Sequence, residues 1–224
     1  MGLKPALIYI LSLILIINLP ALLFINSFRV NAFDIVWYES EFSKVGSYEF
    51  GYDKDTVDST AAFLIGYLQH DKTKNPPAVA IFVTDENVHL LEVKQLVQKA
   101  LLLADISVIA FIFLNLALFF LVRLDFGAFI NYITKQLVYG SIMAISIAAI
   151  IVLSLWLNFS SSFANFHLLL FTGQWQFPPE SAMIQMFPAE FFYDIGQMIF
   201  INALTAAVLL LVIAQILNTK QVFR

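Results

Sequence analysis

The chain has 224 residues, of which 60% are hydrophobic and only 12% are charged, and it carries a net charge of −4 and no cysteine. Soluble domains are about half apolar and roughly a quarter charged, so this composition indicates an integral membrane protein. The lack of cysteine excludes disulfides, thiolate metal ligands and cysteine nucleophiles, and the lack of a basic cluster argues against a nucleic-acid partner.

Four apolar stretches are long enough to cross a bilayer, whose core needs about 20 consecutive apolar residues in a helix. They cover residues 5–25, 100–122, 137–157 and 196–217. The first contains Pro20, which predicts a kink. It is too long for the apolar core of a signal peptide and no small-residue cleavage site follows it, so we expect a retained anchor. The sequence predicts an all-α membrane protein with four transmembrane helices, forming a single membrane domain over residues 1–224.

The charges of the connecting segments predict the orientation in the membrane. Every short connector is net basic, including residues 123–136 between the second and third spans. The long connectors are acidic: residues 26–99 hold seven Lys or Arg against eleven Asp or Glu, and residues 158–195 hold three acids and no base. Basic connectors stay in the cytoplasm. We therefore expect a multi-pass protein of the plasma membrane with both termini cytoplasmic and both long connectors extracytoplasmic.

The first long connector, residues 26–99, carries secondary-structure patterns of its own. Apolar residues recur at helical spacing between positions 57 and 68, which predicts a helix with Asp53 or Asp55 available as its N-cap. Residues 30–52 are aromatic and leave a short helix and a strand equally open.

The end of the same connector leads into the second span. Residues 78–83, AVAIFV, are β-branched and apolar, and predict a short strand. A helix is then predicted to begin with Thr84 or Asp85 as its cap and to continue into the span. Together these patterns predict a small mixed α/β extracytoplasmic cap.

The second long connector, residues 158–195, is rich in phenylalanine and is broken by glycine and proline. It is too apolar for open water, and Trp175 and Tyr193 are residue types that favour the headgroup region of a bilayer. We expect this segment to lie in or near the membrane interface and to be partly re-entrant.

Two of the three histidines lie in these outer segments. Glu86, His89 and Glu92 follow at helical spacing near the start of the helix that enters the second span, and His167 lies among aromatic residues in the second connector. Each histidine alone is more often structural than catalytic. A pair in apolar surroundings suits general acid–base chemistry, because imidazole titrates near neutrality and a carboxylate can fix its tautomer. His70 follows a polar helix and is expected to face solvent.

These segments resemble a known family. The E-x-x-H-L-x-E-V-K block at residues 86–94, with the F-H-x-x-x-F, W-x-F and F-P-x-x-F-F elements between the last two spans, is similar to the lipoprotein intramolecular transacylase family of four-span bacterial membrane proteins. The resemblance implies that the sn-2 acyl chain of a diacylglyceryl-modified cysteine moves to the α-amino group of that cysteine. The product is a lyso-form N-acyl lipoprotein, and no cofactor is needed. The implied partners are the diacylglyceryl-modified lipoprotein and membrane lipids.

The resemblance also implies roles for individual residues. His89 matches the family's catalytic histidine and His167 the second one. His89 would be the base that deprotonates the amine, with Glu86 or Glu92 orienting its ring, and His167 would stabilise the oxyanion by hydrogen bonding. The family favours aspartate where this chain has Glu92.

Two other classes of function remain open at this level. Glu86, His89 and His167 are a two-histidine, one-carboxylate set that a metal-dependent membrane hydrolase could use. A non-enzymatic membrane accessory protein would instead tolerate substitution of both histidines.

Overall fold

The computed structural model describes residues 2–70 and 72–222, and within these residues the chain forms helices and no strand. The helices are α1 (Leu3–Asn31), α2 (Ile35–Val45), α3 (Lys54–Gln69), α4 (Thr84–Leu121), α5 (Phe126–Leu157), α6 (Phe159–Leu170), α7 (Ala182–Met186) and α8 (Ala189–Val222). Helices α1, α4, α5 and α8 are long and apolar enough to cross a membrane. The prediction of an all-α, multi-pass membrane protein with four spans is confirmed.

The chain divides into two compact units. The first, here called the span unit, comprises the described residues of Met1–Arg29, Leu102–Leu153 and Ile199–Arg224. The second, here called the histidine unit, comprises Val30–Leu101 and Ser154–Met198, apart from residue 71. His89 and His167 both belong to the second unit.

In the span unit, small and polar residues join α1 to its neighbours. A Cβ atom added to Gly140 of α5 would lie 2.6 Å from Leu19 Cδ2, so glycine is needed where these two helices approach. The Asn18 amide donates to the Ser107 carbonyl at 2.9 Å and links α1 to α4. Such close approach and interhelical hydrogen bonding are how membrane helices associate without a hydrophobic driving force.

The histidine unit packs around a core of apolar side chains. Its helices begin at side chains that cap them: Asp34 precedes α2, Asp53 precedes α3 and Asn158 precedes α6. The Asp53 cap confirms the predicted start of α3. Of the ambiguous residues 30–52, residues 35–45 form helix α2, and residues 46–52 form a turn and loop. The buried core residues are Phe42, Val57, Ala61, Leu64, Tyr67, Val79, Phe82, Leu90, Met183, Met186 and Phe191.

The predicted strand at residues 78–83 is wrong, and so is the α/β cap, because the histidine unit contains no strand among its described residues. Val79 and Phe82 are buried as the apolar pattern requires. Their backbone groups, however, are satisfied locally. The Val79 N–H donates to the Asn87 side chain at 3.2 Å, and the Phe82 N–H donates to the Val79 carbonyl at 3.1 Å. Buried apolar side chains thus fit a turn as well as a strand when a neighbouring helix supplies the hydrogen-bond partners.

Candidate active site

The two histidines of the histidine unit face one another. His89 lies in the second turn of α4 and His167 lies near the end of α6, and the two side chains are 7% and 8% exposed. Their ring centroids are 6.2 Å apart and their planes differ by 27°. His70 is the C-cap of α3 and is exposed, as the sequence predicts. The fold therefore brings together two histidines that are 78 positions apart in the chain.

Aromatic rings surround the pair. Phe171 contacts both imidazoles, with ring centroids 5.0 Å from His89 and 5.2 Å from His167. Trp175 stacks on His167 at 4.7 Å, and Phe177 lies edge-on to His89 at 5.7 Å. The F-H-x-x-x-F and W-x-F elements of the sequence thus supply the apolar surroundings of the imidazoles. Such surroundings disfavour a charged imidazole.

A backbone hydrogen bond fixes the orientation of the His167 ring. Its Nδ1 lies 2.8 Å from the Phe163 carbonyl oxygen, one helical turn earlier. A carbonyl only accepts, so Nδ1 carries the proton and the neutral ring has its lone pair at Nε2. Burial lowers the pKa of His167, although the carbonyl favours the protonated ring and opposes the shift. At neutral pH His167 therefore presents a proton acceptor at Nε2.

His89 has a different environment. Its Nδ1 is buried and has no hydrogen-bond partner. Its pKa is lowered to about 4, first by burial and then by repulsion from His167, while the Glu92 carboxylate favours the charged ring and opposes the shift. His89 is neutral at pH 7, and Glu92 is the group that would stabilise its protonated form.

The lowered pKa of His89 predicts a loss of stability in acid. The unfolded ring takes up a proton near its ordinary pKa of about 6.5, whereas the folded ring resists protonation down to about 4. Between these values the unfolded state binds more protons, so stability falls as the pH drops through this window. We expect the unfolding temperature of His89→Gln to depend less on pH between 6.5 and 4 than that of wild type. A His70→Gln control should keep the wild-type slope, and equal slopes for His89→Gln and wild type would contradict the assignment.

Glu92 holds the loop that follows α6. Its Oε1 accepts hydrogen bonds from the Thr172 hydroxyl at 3.1 Å and from the Gly173 N–H at 3.2 Å. Its Oε2 is buried and unpaired. A Cβ atom at Gly173 would lie 3.0 Å from that Oε2, so only glycine leaves the carboxylate in place. Glu92 therefore combines a loop contact with a free oxygen in the neighbourhood of His89.

Glu86 is fully buried and binds backbone rather than a histidine. Its Oε2 accepts from the Val83 N–H at 2.8 Å, just before α4 begins. Its Oε1 accepts from the Met183 N–H at 3.0 Å in α7. The first bond is the carboxylate half of a capping box, in which the third helical residue bonds back to the N-cap. Glu86 thus caps α4 itself, where the sequence suggests Thr84 or Asp85, and ties α7 to the start of α4.

Replacing Glu86 tests this structural role. In Glu86→Gln, the amide nitrogen would face one of the two backbone donors and leave it unsatisfied. Since an unsatisfied buried donor costs about 1–3 kcal/mol, we expect a lower free energy of unfolding by about that amount. Thermal or denaturant unfolding of the purified protein measures it. Glu49→Gln, on an exposed side chain, is the control, and unchanged stability of Glu86→Gln would contradict the role.

The carboxylate of Glu86 also bears on the metal hypothesis. Within the described residues, no group of three or more histidine, aspartate or glutamate side chains is placed to hold a metal ion. The set of Glu86, His89 and His167 does not converge, because both Glu86 oxygens are directed at backbone N–H groups.

The sequence gives no signal for several residues of this site. Thr172 and Gly173 contact Glu92 from 80 and 81 positions along the chain, and the Phe163 carbonyl orients His167. The contact between Phe163 and His167 does have a signal in the sequence. The two residues are four positions apart in an apolar segment, and α6 places them one above the other. Nothing local distinguishes Gly173 from the other glycines.

The fold and the buried histidine pair define a class: a polytopic membrane protein in which two buried imidazoles face one another. A sequence model of the family described as "Lipoprotein intramolecular transacylase Lit" matches residues 8–192. This match covers most of the chain, so the protein belongs to the lipoprotein intramolecular transacylase family and is an acyltransferase that acts on lipoproteins in the membrane. Membership of an enzyme family rules out the hypothesis of a non-enzymatic membrane accessory protein.

Comparison with solved structures agrees with the family match. The membrane integral lipoprotein intramolecular transacylase Lit from Bacillus cereus superposes with a TM-score of 0.84 at 21% identity, covering 98% of this chain and 100% of the other. Two variants of that protein, with one histidine replaced by arginine or by alanine, give TM-scores of 0.78 and 0.79 at 20% identity. They cover 98% and 99% of this chain, and 96% and 98% of theirs. At this identity the likeness establishes the shared fold. Comparison with curated proteins gives no match.

Proposed function

We propose that the protein moves the sn-2 acyl chain of a diacylglyceryl-modified N-terminal cysteine to the α-amino group of the same cysteine, and that His89 and His167 carry the protons. The observation that supports this most is the pair of buried, neutral imidazoles, 6.2 Å apart in an aromatic enclosure. The substrate supplies its own nucleophile, so the protein needs to provide only acid–base groups and orientation.

The proton balance of this reaction requires two proton transfers from nitrogen. An α-ammonium group becomes an amide N–H, so nitrogen gives up two protons as the C–N bond forms. The ester C–O bond breaks, and the leaving glyceryl oxygen takes up one of these protons. The other proton leaves to solvent. Two neutral imidazoles at one site match this requirement better than a single base does.

We assign the first proton to His89. The α-ammonium must become a free amine before it can attack the ester carbonyl, and neutral His89 can accept that proton. The Glu92 carboxylate favours the imidazolium that results. Because Glu92 also has an unpaired oxygen, it provides the negative charge that a cationic amine would approach.

We assign the second proton to His167. Since Nδ1 is held by the Phe163 carbonyl, neutral His167 cannot donate a hydrogen bond from Nε2 and cannot at first stabilise an oxyanion. It can accept the second proton from nitrogen as the tetrahedral intermediate forms. The resulting imidazolium donates from Nε2 to the oxyanion and then to the leaving oxygen, while the carbonyl holds Nδ1–H. Oxyanion stabilisation is thus a role that His167 acquires on protonation.

Glu92 acts as a positioning residue in this scheme, and the lack of a side chain at Gly173 leaves room for its carboxylate. An alanine at position 173 would push the carboxylate away, because its Cβ would lie 3.0–3.2 Å from three carboxylate atoms. We expect Gly173→Ala to lower the transacylation rate by up to about tenfold, because the carboxylate must move by a few tenths of an ångström and misplacing a group by a full ångström costs about a hundredfold. Product formation from a synthetic lipopeptide measures this rate.

Gly66→Ala is the matched control for this substitution. A Cβ at Gly66 meets nothing within 4 Å, and alanine is favoured over glycine inside a helix such as α3. Its activity should equal that of wild type. Equal activities of the Gly173→Ala and Gly66→Ala variants would show that Glu92 is not a positioning residue.

Glu86, by contrast, is proposed to stabilise the histidine unit without orienting a histidine ring.

We also propose that the site lies on the extracytoplasmic side of the plasma membrane, with both chain termini in the cytoplasm. The basic short connectors support this orientation. A membrane-impermeant reagent applied to intact cells should modify cysteines introduced at the exposed Lys72 or Lys74, and should not modify one introduced at Asp125. The opposite labelling pattern would reverse the orientation.

Fragmentation mass spectrometry of lipoprotein N-termini tests the proposed reaction. The transfer only rearranges atoms, so the intact mass does not change, and the N-acyl fragment and the loss of a reactive amine identify the product. A host that leaves its lipoproteins with free α-amino groups should yield the lyso-form N-acyl isomer when this chain is expressed. A mass reduced by one acyl chain would indicate a hydrolase instead, and a mass increased by one would indicate an intermolecular donor.

A further inference from the structure

A cavity of about 630 Å³ lies between α1 and α5 in the span unit. Its polar lining includes Lys4 and Lys135, three tyrosines at positions 9, 132 and 139, and Gln136. Its volume falls within the range of about 300–1,000 Å³ that is usual for small-molecule sites. None of these side chains takes part in the histidine site.

The charge of the lining selects an anion. Both charged residues among the described lining residues are lysines, and neither aspartate nor glutamate is among them. Lys135 lies over the ring of Tyr132, with Nζ 5.9 Å from the centroid. Tyrosine and lysine together at the end of an apolar run are typical of the level of lipid headgroups.

Gln136, in the wall of the cavity, has hydrogen-bonding groups without a partner. Its side chain is 1% exposed, and both its amide nitrogen and its amide oxygen lack a partner. Buried amides are nearly always paired in folded proteins, so an unpaired one calls for a partner that the chain itself does not supply. A ligand headgroup with hydroxyl and phosphate oxygens could serve both atoms once the side chain turns toward the cavity.

The remaining wall indicates that the anion is attached to a hydrocarbon chain. Ile8 and Ile16 line the same cavity, two helical turns apart on one face of α1. Free phosphate would gain nothing from contact with these apolar side chains, whereas an acyl chain would pack along them. Basic pockets between transmembrane helices are known to bind anionic lipid headgroups. We propose that this cavity binds an anionic phospholipid, with its phosphodiester between Lys4 and Lys135 and its acyl chain along α1.

Lipid titration of the purified full-length protein tests the proposal. Phosphatidylglycerol, phosphatidylcholine with the same acyl chains, and inorganic phosphate would each be titrated in detergent, with binding followed by native mass spectrometry. We expect saturable binding of phosphatidylglycerol only. In Lys4→Gln/Lys135→Gln its affinity should fall by about tenfold, because each lysine contributes several-fold to binding an anionic lipid. Lys72→Gln/Lys74→Gln removes the same charge from exposed positions and should bind like wild type.

Three results would overturn the proposal: equal binding of phosphatidylglycerol and phosphatidylcholine, equal loss in the two lysine variants, or competition by phosphate at the same concentration as the lipid. Gln136→Leu gives a second readout if the lysine variants fold poorly. Removing the unpaired amide should raise the unfolding temperature in detergent and reduce the further rise that phosphatidylglycerol produces. A lipid-induced rise as large as that of wild type would contradict a role for Gln136.

Discussion

His89→Ala is expected to lower the rate of N-acyl lipoprotein formation by about 10²–10⁴-fold, the usual contribution of a general base. Alanine has no group that could take the proton from the substrate's α-ammonium. Among the described histidines, only His167 contacts the His89 ring. The rate is measured with a synthetic diacylglyceryl lipopeptide and purified protein, after the amount and unfolding temperature of the variant have been compared with wild type.

His70→Ala is the internal control for this experiment. His70 is the third histidine of the chain and lies exposed at the end of α3. Its replacement should leave the rate unchanged, which separates the loss of a particular imidazole from a general effect of removing histidine. Wild-type activity in His89→Ala, at normal folding, would show that His89 is not the base.

His167→Asn is expected to fold and yet to lose about as much activity. The asparagine amide nitrogen occupies nearly the position of Nδ1 and can donate to the Phe163 carbonyl, which the native ring does at 2.8 Å. Asparagine has nothing at the position of Nε2, where the proposed second proton transfer occurs. The variant therefore keeps the anchoring hydrogen bond and removes the chemistry. Both the unfolding temperature and the transacylation rate are needed to distinguish these effects.

His167→Gln is the complementary variant. Its amide reaches the position of Nε2 but gives up the short hydrogen bond to Phe163, and an amide does not accept protons at neutral pH. We expect it to be as inactive as His167→Asn and less stable. If His167→Gln were active while His167→Asn was not, hydrogen-bond donation alone would suffice at Nε2, and the proton-transfer role of His167 would be wrong.

The burial of both imidazoles connects the fold to this chemistry. The aromatic enclosure lowers the pKa of each ring and so keeps both neutral at physiological pH, ready to accept protons. The enclosure also weakens His89 as a base, and Glu92 offsets part of that cost by favouring its protonated form. The apolar walls suit the proposed substrate, which carries two acyl chains.

Hydrophobic length is the property that the sequence reports best. All four predicted spans coincide with long helices, with only residue 122 lying past the end of α4, because about 20 apolar residues in a row have few structures open to them other than a membrane helix. The helix ends are less well predicted. Helix α4 begins at Thr84, well before the apolar run at residue 100, since its first turns are set by packing within the histidine unit rather than by lipid.

Short apolar runs are ambiguous, and residues 78–83 show why. The run has the composition of a buried strand, and its Val79 and Phe82 side chains are buried. Whether such a run becomes a strand depends on a partner strand, which the described chain does not provide. The side chains of Asn87 and Glu86 supply its hydrogen bonds instead.

Some residues of the candidate site could be predicted from the sequence and others could not. The rarity of histidine and its apolar neighbours were enough to single out His89 and His167. The partner of Glu86 could not be predicted, because the Met183 N–H is 97 residues away and a carboxylate at helical spacing from a histidine looks like a ring-orienting group. Gly173 depends on a steric contact with Glu92, which appears only once the chain is folded.

An isotope-transfer experiment tests the central claim most directly. Two lipopeptides that differ in peptide mass are mixed, one with a heavy and one with a light sn-2 acyl chain, and the N-acyl products are analysed by fragmentation. With wild-type protein we predict that each peptide carries only its own acyl chain on nitrogen, and that His89→Ala and His167→Asn form neither product. Heavy acyl groups on the light peptide, release of free fatty acid as the main product, or unchanged transfer by either histidine variant would contradict an intramolecular transfer carried out by these two imidazoles.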